Sequence, residues 1–262
     1  MQFQPIGERH AVQEVVFTVG LARHLTGVDF NKVSMNRALW KAELPNDGQV
    51  TAFGFQIGSP ISNFELPTPL QFNAFKRDGS IDWRLSINPD HIAVNCLTYT
   101  RWDEIWARAL RYISSVMAVI GDPNLSIVGG ALQYIDAFNW MGPAGQVDIA
   151  ELIQRGGPLV NDQIFESGPL WHLHQGFYNP PVAEVPGAIL TRINIDTLPP
   201  APTVKIDTFL RHEYPEPRRP QAPFYEKGGD LDVLFRKLHV MDKELMMKLL
   251  TPAATARIAL NA

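Results

Sequence analysis

Between Trp102 and Ile120 nine apolar residues recur at spacings of three and four: Trp102, Ile105, Trp106, Ala109, Leu110, Ile113, Val116, Met117 and Ile120. That period predicts a helix of about five turns with one broad apolar face. Thr100 stands as its N-cap, with the acid Asp103 three residues on. Gly121 and Pro123 stop it. A face this wide has to be laid on a sheet or on another helix. A second stripe, Leu231, Leu234, Phe235, Leu238, Met241, Leu245 and Leu249, predicts another long helix from Asp230 to Leu250. Thr251-Pro252 then restarts a short terminal helix, with proline where its missing N–H costs nothing.

Most of the chain before each long helix reads as strands joined by short turns. Val15, Phe17, Val19 and Leu21 alternate, and Gln49 to Ile57 reads as a further strand. A weaker helical pattern covers Asn31 to Leu44, ended by Pro45 and the turn Asn46-Asp47-Gly48. Phe72 to Lys76 and Ile81 to Ile87 flank Asp78-Gly79, a hairpin signal, and His91 to Tyr99 follows Asn88-Pro89-Asp90. Leu125 to Trp140 is a long strand, and Asp148 to Arg155 a short helix. Then come Pro169 to Tyr178, Ala188 to Leu198 and Thr203 to Tyr214. The fold class is α+β: a mostly antiparallel sheet packed against two long amphipathic helices, residues 100–120 and 230–250. The order strands, helix, strands, helix allows a division into two pseudo-repeated halves, 1–142 and 143–262, although no residue-level repeat marks a duplication.

Composition narrows the function classes. The formal net charge of −4, with no basic run longer than a pair such as Arg218-Arg219, argues against general nucleic-acid binding. The single Cys96 forbids an intrachain disulfide or a Cys-rich zinc site, and its alternation with Ile92 and Val94 reads as a core position. Met1 to Pro5 lacks a signal-peptide pattern and no apolar run is long enough for a membrane span, so a cytoplasmic protein is expected. Of 21 prolines, ten fall between Pro180 and Pro223. The run Tyr214 to Pro223 reads as an extended proline-rich loop over 215–223, and Tyr214, Arg218 and Arg219 as its partner-binding residues.

Ala11-Val12-Gln13-Glu14-Val15-Val16-Phe17, Leu85-Ser86-Ile87-Asn88-Pro89-Asp90, Tyr99-Thr100-Arg101-Trp102-Asp103-Glu104 and Leu132-Gln133-Tyr134-Ile135-Asp136 resemble motifs of a sporadically distributed family of bacterial and archaeal proteins. Leu238-His239 and Leu250-Thr251-Pro252 resemble its closing pattern. Gln133 and Ala137 stand where that family carries arginine. The resemblance brings no established activity. Its patchy distribution implies an accessory role, such as a defence or stress system.

No P-loop, GxSxG elbow, HExxH or Rossmann glycine pattern is present. Trp171-His172-Leu173-His174 puts two imidazoles on one face of a strand. His212 would complete a divalent-metal site if the later strand pairs suitably. The competing reading is a solvated pair of surface histidines. Gln133, Tyr134 and Asp136 lie in a central strand, with Arg108 or Arg111 on the preceding helix as the natural counter-charge. They form either an internal polar network or a small-ligand cleft. The expectation that follows is a non-catalytic cytoplasmic binding or regulatory protein without a cofactor. It would recognise a protein partner, another copy of itself or a small ligand. The alternative is a metal-dependent enzyme using His172, His174 and His212.

Overall fold

A computed structural model describes residues 1–7, 9–49, 68–168, 170–198, 202–220 and 222–260. In chain order the elements are β1 (Phe3–Pro5), β2 (Val12–Leu21), α1 (Gly27–Met35), β3 (Asn46–Gln49), β4 (Leu70–Phe75), β5 (Ile81–Ile87), β6 (His91–Cys96) and α2 (Trp102–Ile120). They continue with β7 (Ile127–Trp140), β8 (His172–Asn179), β9 (Ala188–Leu198), β10 (Thr203–Arg218), α3 (Asp230–Leu249) and α4 (Pro252–Arg257). The class is α+β, with a large antiparallel sheet and a few helices. Among the described residues, no helix is long and apolar enough to cross a membrane.

The chain divides into two compact units. One comprises Val16–Gly130 and Tyr214–Asp232. Its strands run β3-β4-β5-β6-β2, and the β4–β5 hairpin turns where Asp78-Gly79 predicts it, Gly79 taking a positive φ of 84°. Helix α2 buries Ile105, Trp106, Ala109, Tyr112, Ile113, Val116, Met117 and Ile120, which is the predicted stripe apart from Trp102 and Leu110, with Tyr112 added. Each large apolar side chain removed from water contributes about 1.5–3 kcal/mol. Trp106 stacks on Trp102 with ring centroids 6.1 Å apart, and Phe17 of β2 meets both indoles. Gly121 ends the helix in the left-handed conformation, φ 62°.

Three local expectations change. The N-cap of α2 is Arg101, with no side-chain capping bond; the Thr100 hydroxyl donates instead to Glu104 Oε2, 2.8 Å away. Helix α1 starts earlier than Asn31 because Thr26 and Asp29 form a reciprocal capping box, and it ends at Met35. Asn46-Asp47-Gly48, expected as a turn, lies in β3 paired with β4. The strand expected over 49–57 falls outside the described residues beyond Gln49.

The other unit comprises Met1–Val15, Ala131–Glu213 and Val233–Ala262. Its strands run β7-β10-β9-β8, with β1 on β7. Apolar residues of α3 and α4, Leu245, Met246, Leu249 and Ala254, share a core with Ile193 and Ile195 of β9 and with Val204 and Ile206 of β10. Between β7 and β8 the expected helix 148–155 reduces to a 3-10 turn at Ile149–Glu151, still capped by the Asp148 carboxylate. β10 runs on to Arg218, past the end of its pairing with β9 at Glu213↔Ala188. Residues 215–218 are therefore strand rather than loop.

Candidate functional site

Antiparallel registry sorts the side chains of β8, β9 and β10 into two faces. Directly opposed residues share a face, so each pairing defines a row. On one face the rows are His172–Asp196–Lys205, His174–Asn194–Asp207, Gly176–Arg192–Phe209 and Tyr178–Leu190–Arg211. On the other they are Leu173–Ile195–Ile206, Gln175–Ile193–Thr208, Phe177–Thr191–Leu210 and Asn179–Ile189–His212.

This sorting separates the three histidines. His172 and His174 share the polar face and are exposed, as their spacing predicts. His212 lies on the apolar face, fully buried, with Nε2 3.0 Å from the Pro186 carbonyl. Its position in phase with Val204, Ile206 and Leu210 along β10 is the cause. The proposed three-histidine metal site is therefore not assembled. Among the described residues, no group of three or more His, Cys, Asp or Glu side chains is placed to hold a metal ion.

The central-strand residues also part company. Gln133 donates through Nε2 to Asp207 Oδ1, 2.8 Å, which ties β7 to the polar face of β10. Tyr134 and Asp136 are buried on the opposite side. The Tyr134 hydroxyl lies 2.9 Å from His239 Nδ1 on α3. Burial holds the Asp136 carboxyl well above the usual carboxylate range, and the neighbouring Asp242 charge adds to it. Asp242 itself is pushed up to about 7 by burial, partly offset by a hydrogen bond from the Thr208 hydroxyl. Asp136 thus faces a second acid, and the arginines expected beside it are engaged elsewhere. Arg111 pairs with Glu43 at 2.8 Å and Arg108 with the same carboxylate at 3.1 Å. Tyr134, Asp136, Thr208, His239 and Asp242 thus gather polar groups of β7, β10 and α3 in one part of this unit.

Tyr214 and Arg218 lie in the part of β10 beyond its pairing with β9, and Arg219 directly follows the strand. Tyr214 is half-buried and its hydroxyl pushed up to about 12 by burial. Arg218 lies over its ring, 5.5 Å from the centroid, and both arginines are exposed.

The polar face of β8 to β10 offers what sequence reading passed over. Arg192 lies over the Phe209 ring at 4.3 Å. Arg192 Nε and Asn194 Oδ1 are buried without a hydrogen-bond partner. The signal lay in β9, where Arg192, Asn194 and Asp196 alternate with Ile193 and Ile195. Beyond this face, β8 closes the strand order with most of its side chains in solvent: Tyr178 is 67% and Phe177 37% exposed, and Leu170, just before the strand, 63%. Exposed aromatic groups along an open strand edge suit recognition of another chain through backbone pairing. No protein-family model matches the chain, and no curated protein matches it.

Proposed function

We propose that this protein is a non-catalytic binding or regulatory module that recognises a protein partner, with β8 as the recognition element. The observation that carries the reading is the open β8 edge with Phe177 and Tyr178 exposed beside it. Among the described residues no strand pairs with β8 on the side away from β9, and an incoming strand could add there by backbone hydrogen bonding.

The same proposal places the module in the cytoplasm of a bacterium, in a defence or stress response, on the strength of the family resemblance. It also keeps the chain as two related halves, 1–142 and 143–262, each containing one long amphipathic helix. The helices at Trp102–Ile120 and Asp230–Leu249 are in keeping with that plan.

The test is affinity capture from the cells that encode the protein, comparing the native chain with a Phe177→Lys, Tyr178→Lys variant. A second, differently tagged copy of the chain is included among the prey. A defined protein retained in stoichiometric amount by the native chain and lost from the variant supports the reading. The same set of proteins retained by both chains overturns it.

A further inference from the structure

We infer that Pro215 and Pro217 close the free edge of β10, so that the end of this strand which outruns β9 is barred from taking up another strand. This edge is separate from that of β8, and its closure holds whether or not β8 recognises a partner.

In an antiparallel sheet the N–H and C=O of one residue point to the same side of its strand, and those of the next residue to the other side. Two bonds fix this phase along β10. The Pro202 carbonyl, one residue before the strand, accepts from the Trp140 N–H of β7 at 2.9 Å. Even-numbered residues of β10 therefore turn to β7 and odd-numbered ones to β9. On the far side, the Thr197 N–H of β9 donates to the Trp171 carbonyl at 3.3 Å, next to β8. That turns Asp196 and Leu198 to β10, where they oppose Lys205 and Thr203. Both bonds give the same phase.

The last opposed pair is Glu213↔Ala188, and β10 runs on to Arg218. Beyond Glu213 no strand among the described residues pairs with β10 on the β9 side. The odd positions of this overhang are 215 and 217, and both are proline. Pro215, Glu216, Pro217 and Arg218 are all exposed. An unpaired strand edge ordinarily presents a row of N–H donors and C=O acceptors to any passing strand. Here both donors are missing, and each pyrrolidine ring stands where the N–H would point. An incoming strand would find two acceptors and no donor. Tyr214, Glu216 and Arg218 keep their N–H groups, which point the other way. Proline is tolerated in a strand where its missing N–H faces solvent, and the overhang meets that condition at two successive positions.

Restoring the two donors tests the inference. Pro215→Thr, Pro217→Thr in the full chain supplies both N–H groups on residues that favour strands. The variant is made in the Phe177→Lys, Tyr178→Lys background, which takes association through β8 out of the comparison. Sedimentation equilibrium should show self-association tightened by about tenfold or more over the same background with both prolines. Glu216→Thr raises strand propensity on the opposite side and should leave association unchanged. Hydrogen exchange reads the geometry without association. In dilute protein, the amide introduced by Pro215→Thr or by Pro217→Thr alone should exchange as fast as an exposed, unbonded amide. The single variants keep this reading in force if the double variant does not fold. Slow exchange at either position in the dilute protein overturns the inference, as does a folded double variant that associates no more tightly than its parent. An equal gain from Glu216→Thr also overturns it, because strand propensity rather than the missing donors would then set the barrier. Capture of a partner through β8 is a separate measurement that none of these outcomes decides.

Discussion

The Thr208 hydroxyl donates to Oδ1 of Asp242, and both side chains are buried. This bond joins β10 to α3 beneath the sheet, in the neighbourhood of Tyr134, Asp136 and His239. Burial raises the Asp242 carboxyl to about 7 and holds Asp136 well above its ordinary range. An unfolded aspartate titrates near about 3.9. Between that value and about 7 the native state holds a proton that the unfolded state has released. Stability therefore falls as pH rises through this window, and the whole penalty is present above it. Asp242→Asn keeps an acceptor for Thr208 and removes the charge. Its melting temperature should exceed that of the native protein at about pH 8, and the difference should shrink towards about pH 5. Parallel melting curves across that range for the two proteins would refute the burial argument.

Trp106 makes a second long-range polar tie. Its indole N–H donates to Asp232 Oδ1 at 2.7 Å, and Oδ2 accepts from the Gly228 backbone N–H at 2.8 Å. Asp232→Ala leaves a buried indole donor and a turn amide without this acceptor, a loss of about 2–3 kcal/mol. Asp232→Asn retains one good acceptor and should lose roughly half as much. Urea denaturation of the two variants measures the ranking; equal losses would show that shape rather than hydrogen bonding holds the turn.

What the sequence makes legible follows from the range of the interactions. Helix α2 is readable because its stripe, its acidic first turn and Gly121 are all local. So is the Asp78-Gly79 hairpin. The neighbour of Asp136 was not readable, because Asp242 is supplied by a helix that starts only at Asp230, and the nearer Arg108 and Arg111 are held by Glu43. The face of His212 was within reach: counting from Val204 by twos passes Ile206, Thr208 and Leu210 before arriving at it. The registry that sets His172 and Arg192 on one open face needed the strand pairings themselves.

Glu43 gathers Arg111, Arg108 and the Tyr112 hydroxyl, which donates to it at 2.8 Å. The hydrogen bond from Arg111 leads in lowering its carboxyl to about 2, against an opposing effect of burial. A lowered acid supports the fold above its unfolded value and loses that support as pH falls towards about 2. Its side chain remains 38% exposed, so water and salt screen the pairing. Glu43→Gln should cost about 1 kcal/mol at neutral pH and low salt, less in about 1 M salt, and almost nothing near pH 2. A cost that does not change with either variable would assign Glu43 a packing role instead.

Gly187 connects the buried His212 to the start of β9. Its φ of 133° is one that side chains rarely adopt, and a Cβ there would stand 2.3 Å from the Glu213 carbonyl oxygen and 2.7 Å from His212 Nε2. The imidazole cannot swing aside without giving up its approach to the Pro186 carbonyl, and the Glu213 backbone is fixed by its pairing with Ala188. Gly187→Ala should therefore destabilise by at least about 2 kcal/mol, from backbone strain and overpacking together. Gly27→Ala is the control, since nothing lies within 4 Å of a Cβ there and the residue opens α1. It should be neutral or stabilising by up to about 1 kcal/mol. Pairing Gly187→Ala with His212→Ala separates the two clashes. Relief in the double variant assigns the cost to the imidazole; the full loss persisting assigns it to the Glu213 carbonyl and the strained φ.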